Sequence, residues 1–492
     1  MSNKAEQIAL PTGDNDVGSS RADLPVISLF SGAMGLDLGL ESAGFRIAVA
    51  VERDAFAVAT IRANRPDLPV IDRPIEDVTT EEILEKAGLK PGEPALVAGG
   101  PSCQVFSTAG ARRSLGDPRG GLFEHFVRVV RETQPRFFVM ENVRGLLSAA
   151  VRHRPLNKRG PGFPPLEPDE ELGSAFQTVA AHVRALNYYT VFDVLNSADF
   201  GTPQVRQRLL LLGSRDGAAI QMPPPTHHRD GLGGLSKWQT LKDAVHDLTD
   251  ADPEFYTFCP AKAKYLAMVP EGGNWRDLPE DIRPTALGRA FDSWGGRSGF
   301  FRRLSWSRPS PALTTRPDSK ATSLCHPTEL RPLTVREYAR IQQFPDHWVF
   351  KGSTRKKYEQ VGNAVPLGLG QAAGRAIIEA MATATLTERK GKVECWNLDL
   401  LSKLTRRPRT IVNPPRMRGD TEDVTISDWH VGGGRMRRDA LEYAPPALKA
   451  ELRERLRLPS DHEVGDSEGQ EQGESSQGNE VAQGEVRLAA AE

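Results

Sequence analysis

Between residues 24 and 215, short apolar and β-branched runs recur: LPVISLF (24–30), FRIAVAVE (45–52), PALVAGG (94–100), RFFVMENV (136–143), YYTVFDVLN (188–196) and RLLLLGSR (208–215). Segments of helical spacing separate them. Strands that alternate with helices predict an α/β, doubly wound, mostly parallel sheet with helices on both faces. From about 216 to 307 the texture changes to Pro, Gly, Trp and scattered charge with weak periodicity, which reads as a separate, smaller, loop-rich module. PLTVREYARIQQF (332–344) and VPLGLGQAAGRAIIEAMATA (365–384) return to helical periods, so the chain is expected to re-enter its first domain. The expected divisions are 1–22, 23–215, 216–307, 308–387, 388–458 and 459–492. The first and last, rich in Gly, Ser, Gln and Glu, are expected to be disordered.

The 492 residues suffice for a large core and more than one domain. No apolar run nears the ~20 residues of a membrane span, and the polar start MSNKAEQIALPTGDNDVGSS lacks a signal-peptide stretch, so a cytoplasmic protein without membrane contact is expected. The net charge of −1 conceals an asymmetry: residues 461–492 carry nine acidic side chains and one basic one, which leaves residues 1–460 at about +7. That balance suits a polyanionic partner, although a solvated surface would carry it equally well. Cys103, Cys259, Cys325 and Cys395 are too far apart to suggest a disulfide framework or a CxxC metal site. His227 and His228 lack further ligand spacing, so no metal is expected.

Two glycine-bearing loops carry the candidate chemistry. In FSGAMGLDLG (30–39), Gly32 and Gly35 let the backbone approach a ligand at a helix N-terminus, and Glu52 closes the second strand where a ribose-binding carboxylate commonly stands. The Gly-x-x-Gly spacing counts against a nicotinamide cofactor, and a plain tight turn is the alternative. GGPSCQVFSTAG (99–110) sets Cys103 on a turn at the C-terminal edge of the sheet, where a thiol is exposed and ionisable. An inert small hydrophobe is the commoner fate of a lone cysteine. Glu141 ends the strand FFVMENV, where desolvation raises a carboxyl pKa; a helix N-cap or a buried arginine partner would explain it equally.

The ordered series FSGAMGLDLG, GGPSCQVFS, ENV, QVRQR and GNAVP resembles the DNA (cytosine-5-)-methyltransferases, especially the bacterial restriction-modification enzymes, across roughly residues 24–215 and 300–385. The resemblance implies a Rossmann-like class I fold, S-adenosyl-L-methionine as methyl donor, double-stranded DNA as substrate and an extruded cytosine. It makes Cys103 the nucleophile toward carbon 6 and Glu141 the contact to ring nitrogen 3, with Asn142 bracing its loop. Cysteine suits that task, because carbon 5 becomes nucleophilic only after a soft thiolate has added to carbon 6.

Arg206 and Arg208 match the arginines that hold the glutamate and the base oxygen. Phe30, Ser31, Gly32, Gly35, Glu52, Leu122, Asn363 and Val365 match the cofactor residues. Ser107, Arg112 and Arg113, in QVFSTAGARRSLGDPRGG (104–121), are candidate phosphate contacts, with a merely solvated loop as the alternative. By position, 216–307 corresponds to the target-recognition region. Trp238, Trp275, Trp294, His227, His228 and Arg297 there suit base contacts, although core packing is the expected place of most of the tryptophans.

Three positions depart from the family pattern. Ser102 precedes the nucleophile where proline is usual, Arg53 follows Glu52 where some members carry an aromatic, and Pro74 stands where the family has an adenine-contacting aspartate. Asp72 or Glu76 then takes that role, or the contact is absent. The cluster Lys403, Arg406, Arg407, Arg409, Arg416 and Arg418 in the extension suits further phosphate contacts.

A monomer that shares its DNA site with a restriction endonuclease, without a stable complex, is the expected setting. Transfer-RNA members of the family usually carry a CFT signature that is absent here, and an inert homologue would be expected to lack Cys103 or Glu141. An RNA methyltransferase and an inert DNA-binding homologue are the remaining alternatives.

Overall fold

The computed structural model describes residues 23–101, 121–155, 158–159, 162–291, 299–319, 321–382 and 392–395. Among these residues, twelve strands run in chain order: β1 (Pro25–Leu29), β2 (Arg46–Val51), β3 (Val70–Ile71), β4 (Leu96–Gly99), β5 (Phe137–Val143), β6 (Tyr189–Asn196), β7 (Gln204–Val205), β8 (Gln207–Ser214), β9 (His227–His228), β10 (Ser236–Lys237), β11 (Ser310–Pro311) and β12 (Val393–Cys395). Each of the six apolar runs contains a strand of one eight-stranded sheet, ordered β12-β6-β8-β5-β4-β1-β2-β3. Its pairings are parallel except around β8, which runs antiparallel to both β5 and β6. The doubly wound, mostly parallel architecture is therefore as expected. β3 and β12 are additions, the latter coming from the extension beyond residue 387 and pairing with β6.

Successive side chains of a strand point to opposite faces, and the core divides accordingly. Val26, Phe137, Val139, Leu210 and Leu212 join one apolar cluster, whereas Ile27, Leu29, Phe138, Met140, Leu209 and Leu211 join another. The central strands are continuous apolar runs because both of their faces are covered. Helices α1 (Gly35–Ala43), α2 (Ala55–Asn64), α9 (Val335–Ile341), α10 (Thr354–Asn363) and α11 (Leu367–Ala382) pack on the first face. Helices α3 (Thr80–Ala87), α4 (Leu122–Thr133) and α5 (Ser174–Arg184) cover the second. Residues of α9, α10 and α11 thus share one apolar cluster with β1, β5 and β8.

The return is fixed by close backbone contact. A Cβ on Gly35 would stand 2.3 Å from the Val365 carbonyl oxygen, and one on Gly39 would stand 2.3 Å from that of Leu367. Any side chain at either position would drive α11 off α1. Helix α9 is set by a reciprocal cap in which Thr334 and Glu337 each accept the other's backbone N–H.

Residues 216–307 hold short elements, among them α6 (Leu241–Val245), α7 (Pro260–Leu266) and α8 (Arg283–Leu287). Phe258, Leu266, Val269, Trp275, Leu278, Leu287 and Phe301 form a third apolar cluster there, joined by Cys325 from beyond that stretch. Trp275 is thus a core residue, while Trp238 is half-buried and donates its indole N–H to Asp199 at 2.9 Å. Trp294, Arg297 and the basic cluster from Lys403 to Arg418 lie outside the described residues.

Candidate active site

In sequence order the sheet grows from β1 through β2 to β3 on one side, then from β4 to β5 on the other. Loops leaving the carboxyl ends of β1 and β4 therefore part at the switch point, where open α/β sheets form their crevice. A cavity of about 1410 Å³ lies there. Phe30, Ser31, Gly32, Gly35, Glu52, Leu122, Asn363 and Val365 all line it, together with Glu141, Arg206 and Arg208. Cys103, Ser107, Arg112 and Arg113 lie outside the described residues, but Pro101, two residues before Cys103, lines the same cavity.

The loop after β1 is bent by left-handed backbone at Phe30 (φ 56°), Gly32 (φ 53°) and Met34 (φ 68°). Glu52 holds this bend from the end of β2: its carboxylate accepts the Gly32 N–H at 2.7 Å and the Asp54 N–H at 2.8 Å. Two fixed donors leave its remaining lone pairs for the cavity, as a carboxylate that grips vicinal hydroxyls requires. Of the two carboxylates that flank Pro74, Glu76 lines the cavity, whereas Asp72 is paired with Arg62 at 3.0 Å on the surface. Arg53 and Arg73 line it as well.

At the other end stands Glu141, buried at the end of β5. Arg208, on β8 opposite Val143 of β5, places its Nε 2.7 Å from Glu141 Oε1. Burial pushes the Glu141 carboxyl above the ordinary glutamate range, against the opposing pull of Arg208 and then Arg206. The other oxygen, Oε2, lies 2.8 Å from where a Cβ on Gly100 would be. Asn142 donates to the Pro101 carbonyl at 3.3 Å and accepts the Val143 N–H at 2.9 Å, tying the carboxylate strand to the loop that leads to Cys103.

The two arginines differ in what they touch. Arg208 meets the glutamate, while Arg206, also buried, donates to the carbonyls of Leu313 at 2.9 Å and Gly362 at 2.7 Å. Its side-chain hydrogen bonds thus run to backbone of the return segment, immediately before Asn363. Arg144, Thr314, Thr315 and Arg302 also line the cavity. Nothing local in their sequence marks them, since their positions follow from long-range packing. Asp37 differs in this respect: it stands three residues before the fully buried Leu40 on α1, so the helical register turns it inward.

Among the described residues, no group of three His, Cys, Asp or Glu side chains is gathered for a metal, and no helix is long and apolar enough to cross a membrane.

A family model described as C-5 cytosine-specific DNA methylase matches residues 24–379. The chain is 38% identical over 367 residues to the type II methyltransferase M.Eco47II of Escherichia coli, covering 72% of this chain and 79% of that protein. It is 37% identical over 364 residues to M.PspPI of Psychrobacter sp. (strain TA137), covering 73% and 80%. M.Sau96I of Staphylococcus aureus is 35% identical over 358 residues, covering 72% and 76%. A protein solved as a candidate DNA modification methyltransferase of an Escherichia coli prophage shares the fold, with a TM-score of 0.50 at 24% identity and coverage of 73% of this chain and all of that one.

Proposed function

Because the chain belongs to the C-5 cytosine-specific DNA methylases, we propose that it methylates carbon 5 of a cytosine that is swung out of a specific duplex DNA site, through covalent addition of Cys103. The observation that carries this reading is the pairing, within one cavity, of Glu52, a carboxylate fixed at the end of β2, with a buried, arginine-held carboxyl, Glu141.

The residues fit S-adenosyl-L-methionine. Glu52 would take its ribose hydroxyls, the bent backbone from Phe30 to Gly35 would take the methionine portion, and Asn363 and Val365 would close that end. Leu122 would border it from α4. When bound, the cofactor supplies an electrophilic methyl group on a sulfonium.

The protein supplies the rest. Cys103 sulfur bonds to carbon 6 of the ring while Glu141, which holds a proton more readily than an ordinary glutamate, protonates or hydrogen-bonds nitrogen 3. Electron density reaches carbon 5, which accepts the methyl group. Loss of the carbon 5 proton to a base and departure of the thiolate from carbon 6 restore the aromatic ring, and nitrogen 3 returns its proton to Glu141. Arg208 keeps Glu141 oriented throughout, its charge fixed and its fork planar.

Ser107, Arg112 and Arg113 are assigned to DNA phosphates, and 216–307 to recognition of the target sequence. Protection of DNA from a restriction endonuclease of the same specificity is the biological role that follows. The test has two steps. Bisulfite mapping in a host without cytosine methylation gives the site; an oligonucleotide with 5-fluorocytosine at that site, mixed with S-adenosylmethionine, should then form a denaturation-resistant adduct. Fluorine cannot leave as a proton does, so the adduct persists. No adduct with the native chain, or an equal adduct with Cys103→Ser, would refute the mechanism.

A further inference from the structure

Asp37 stands in the first turn of α1 and is 1% exposed. Neither of its carboxyl oxygens has a hydrogen-bond partner among the described residues, yet the residue borders the cofactor cavity. An ionised carboxylate in that position is costly unless a cation faces it. The charged groups that act on it are both acidic: Glu41 one turn further along α1 and Glu52 at the end of β2. Only the nearby Ser28 hydroxyl on β1 and the residue's own backbone favour its charge. Helix α11 meets this turn through Gly370, which brings no ionisable group. Burial, with Glu41 and Glu52 behind it, pushes the carboxyl up to about 7.

A second feature points to the same ligand. Met34, the N-cap of α1, provides no side-chain acceptor for the helix's first N–H groups, so these suit the carboxylate of an incoming molecule. An uncapped helix start beside a buried carboxyl without a partner matches an amino-acid zwitterion, negative at one end and positive at the other. Adenine and ribose are neutral. The methionine portion alone combines a carboxylate with an α-ammonium.

We propose that Asp37 is the buried counter-charge for the α-ammonium of the methyl donor and gives up its proton when that cation enters the cavity. The proposal rests on the cofactor assignment above. It adds an electrostatic gate: Asp37 is largely protonated below about pH 7 in the empty site and becomes half of an ion pair when the site is filled. In low-dielectric surroundings such a pair acts without direct contact.

Isothermal titration of the full-length native chain and Asp37→Asn with three ligands separates the possibilities. S-adenosylmethionine and S-adenosylhomocysteine both carry the ammonium, whereas 5′-methylthioadenosine has neither ammonium nor carboxylate. Asp37→Asn should weaken the first two tenfold or more and leave the third unchanged, which also reports an intact fold. Repeating the native titration slightly below neutral pH in buffers of different ionisation heat should reveal release of most of a proton per ammonium-bearing ligand, absent in Asp37→Asn.

Equal weakening of all three ligands, no weakening, or weakening of S-adenosylmethionine alone would overturn the assignment, the last because it would transfer the role to the sulfonium. Failure of the native chain to bind any of the three would refute the cofactor assignment instead.

Discussion

Gly100 and Glu141 approach so closely that only the absence of a side chain on the first allows the observed position of the second: a Cβ at residue 100 would stand 2.8 Å from Oε2 of Glu141. Glu141 is thereby confined between Arg208 on one oxygen and backbone on the other. Gly100→Ala should push the carboxylate toward Arg208 and away from the cavity, lowering the methyl-transfer rate about a hundredfold. S-adenosylmethionine affinity should hardly change, since Glu52 and the loop after β1 are untouched. Single-turnover kinetics beside equilibrium binding would separate the two effects.

Arg206 joins the end of β7 to the segments that return after residue 308. Its replacement by alanine strands two buried carbonyls, those of Leu313 and Gly362, and should cost about 3 kcal/mol of folding stability. Arg206→Lys should recover only part of this, because one ammonium cannot reproduce the planar two-pronged donation. Denaturant unfolding gives the comparison directly.

Asp199 predicts a pH effect of definite sign. Burial pushes its carboxyl up to about 7, against the favourable indole N–H of Trp238 and the Asn196 side chain. The unfolded chain loses this proton near 4 while the folded chain keeps it to about 7, so this group lowers stability progressively across that window and no further above it. Asp199→Asn should therefore be more stable than the native chain by roughly 1–3 kcal/mol at about pH 8, with the advantage fading toward about pH 4. Melting curves across that range would reveal a flat difference if the carboxyl were ordinary.

The basic cluster from Lys403 to Arg418 has the composition of a phosphate-binding segment. Removal of 396–492, which retains β12, should reduce the slope of log affinity for DNA against log salt by about 0.9 for every phosphate that the cluster neutralises. An unchanged slope would assign the cluster no part in binding.

Sequence patterning located the main strands because buried parallel strands are long, unbroken apolar runs. β3 and β12, of two and three residues, have no length in which a period can develop. Helix α10, TRKKYEQVGN, is polar along most of its length and buries only Tyr358, Gln360, Val361 and Gly362. Its apolar signal is too thin to read.

For the site, ordered motifs pointed to Glu52, Glu141 and Arg208, whose neighbours on adjacent strands follow from topology. Arg206 could be found but not interpreted, since its carbonyl partners lie more than a hundred residues away. Asp37 is hidden by its own motif, whose glycines are the conspicuous feature and whose helical register is readable only once α1 is known to start at Gly35.

Strand β12 has a practical consequence. The matched family region ends at residue 379, but the sheet continues to Cys395, with the Lys392 carbonyl accepting the Thr190 N–H and Glu394 accepting the Tyr189 hydroxyl. Trimming the protein to its homologous span would strip β6 of its outer neighbour and leave a bare row of main-chain donors and acceptors on that edge, an invitation to pair with another molecule. Such a trimmed product should self-associate on size-exclusion chromatography, whereas one ending just past Cys395 should not.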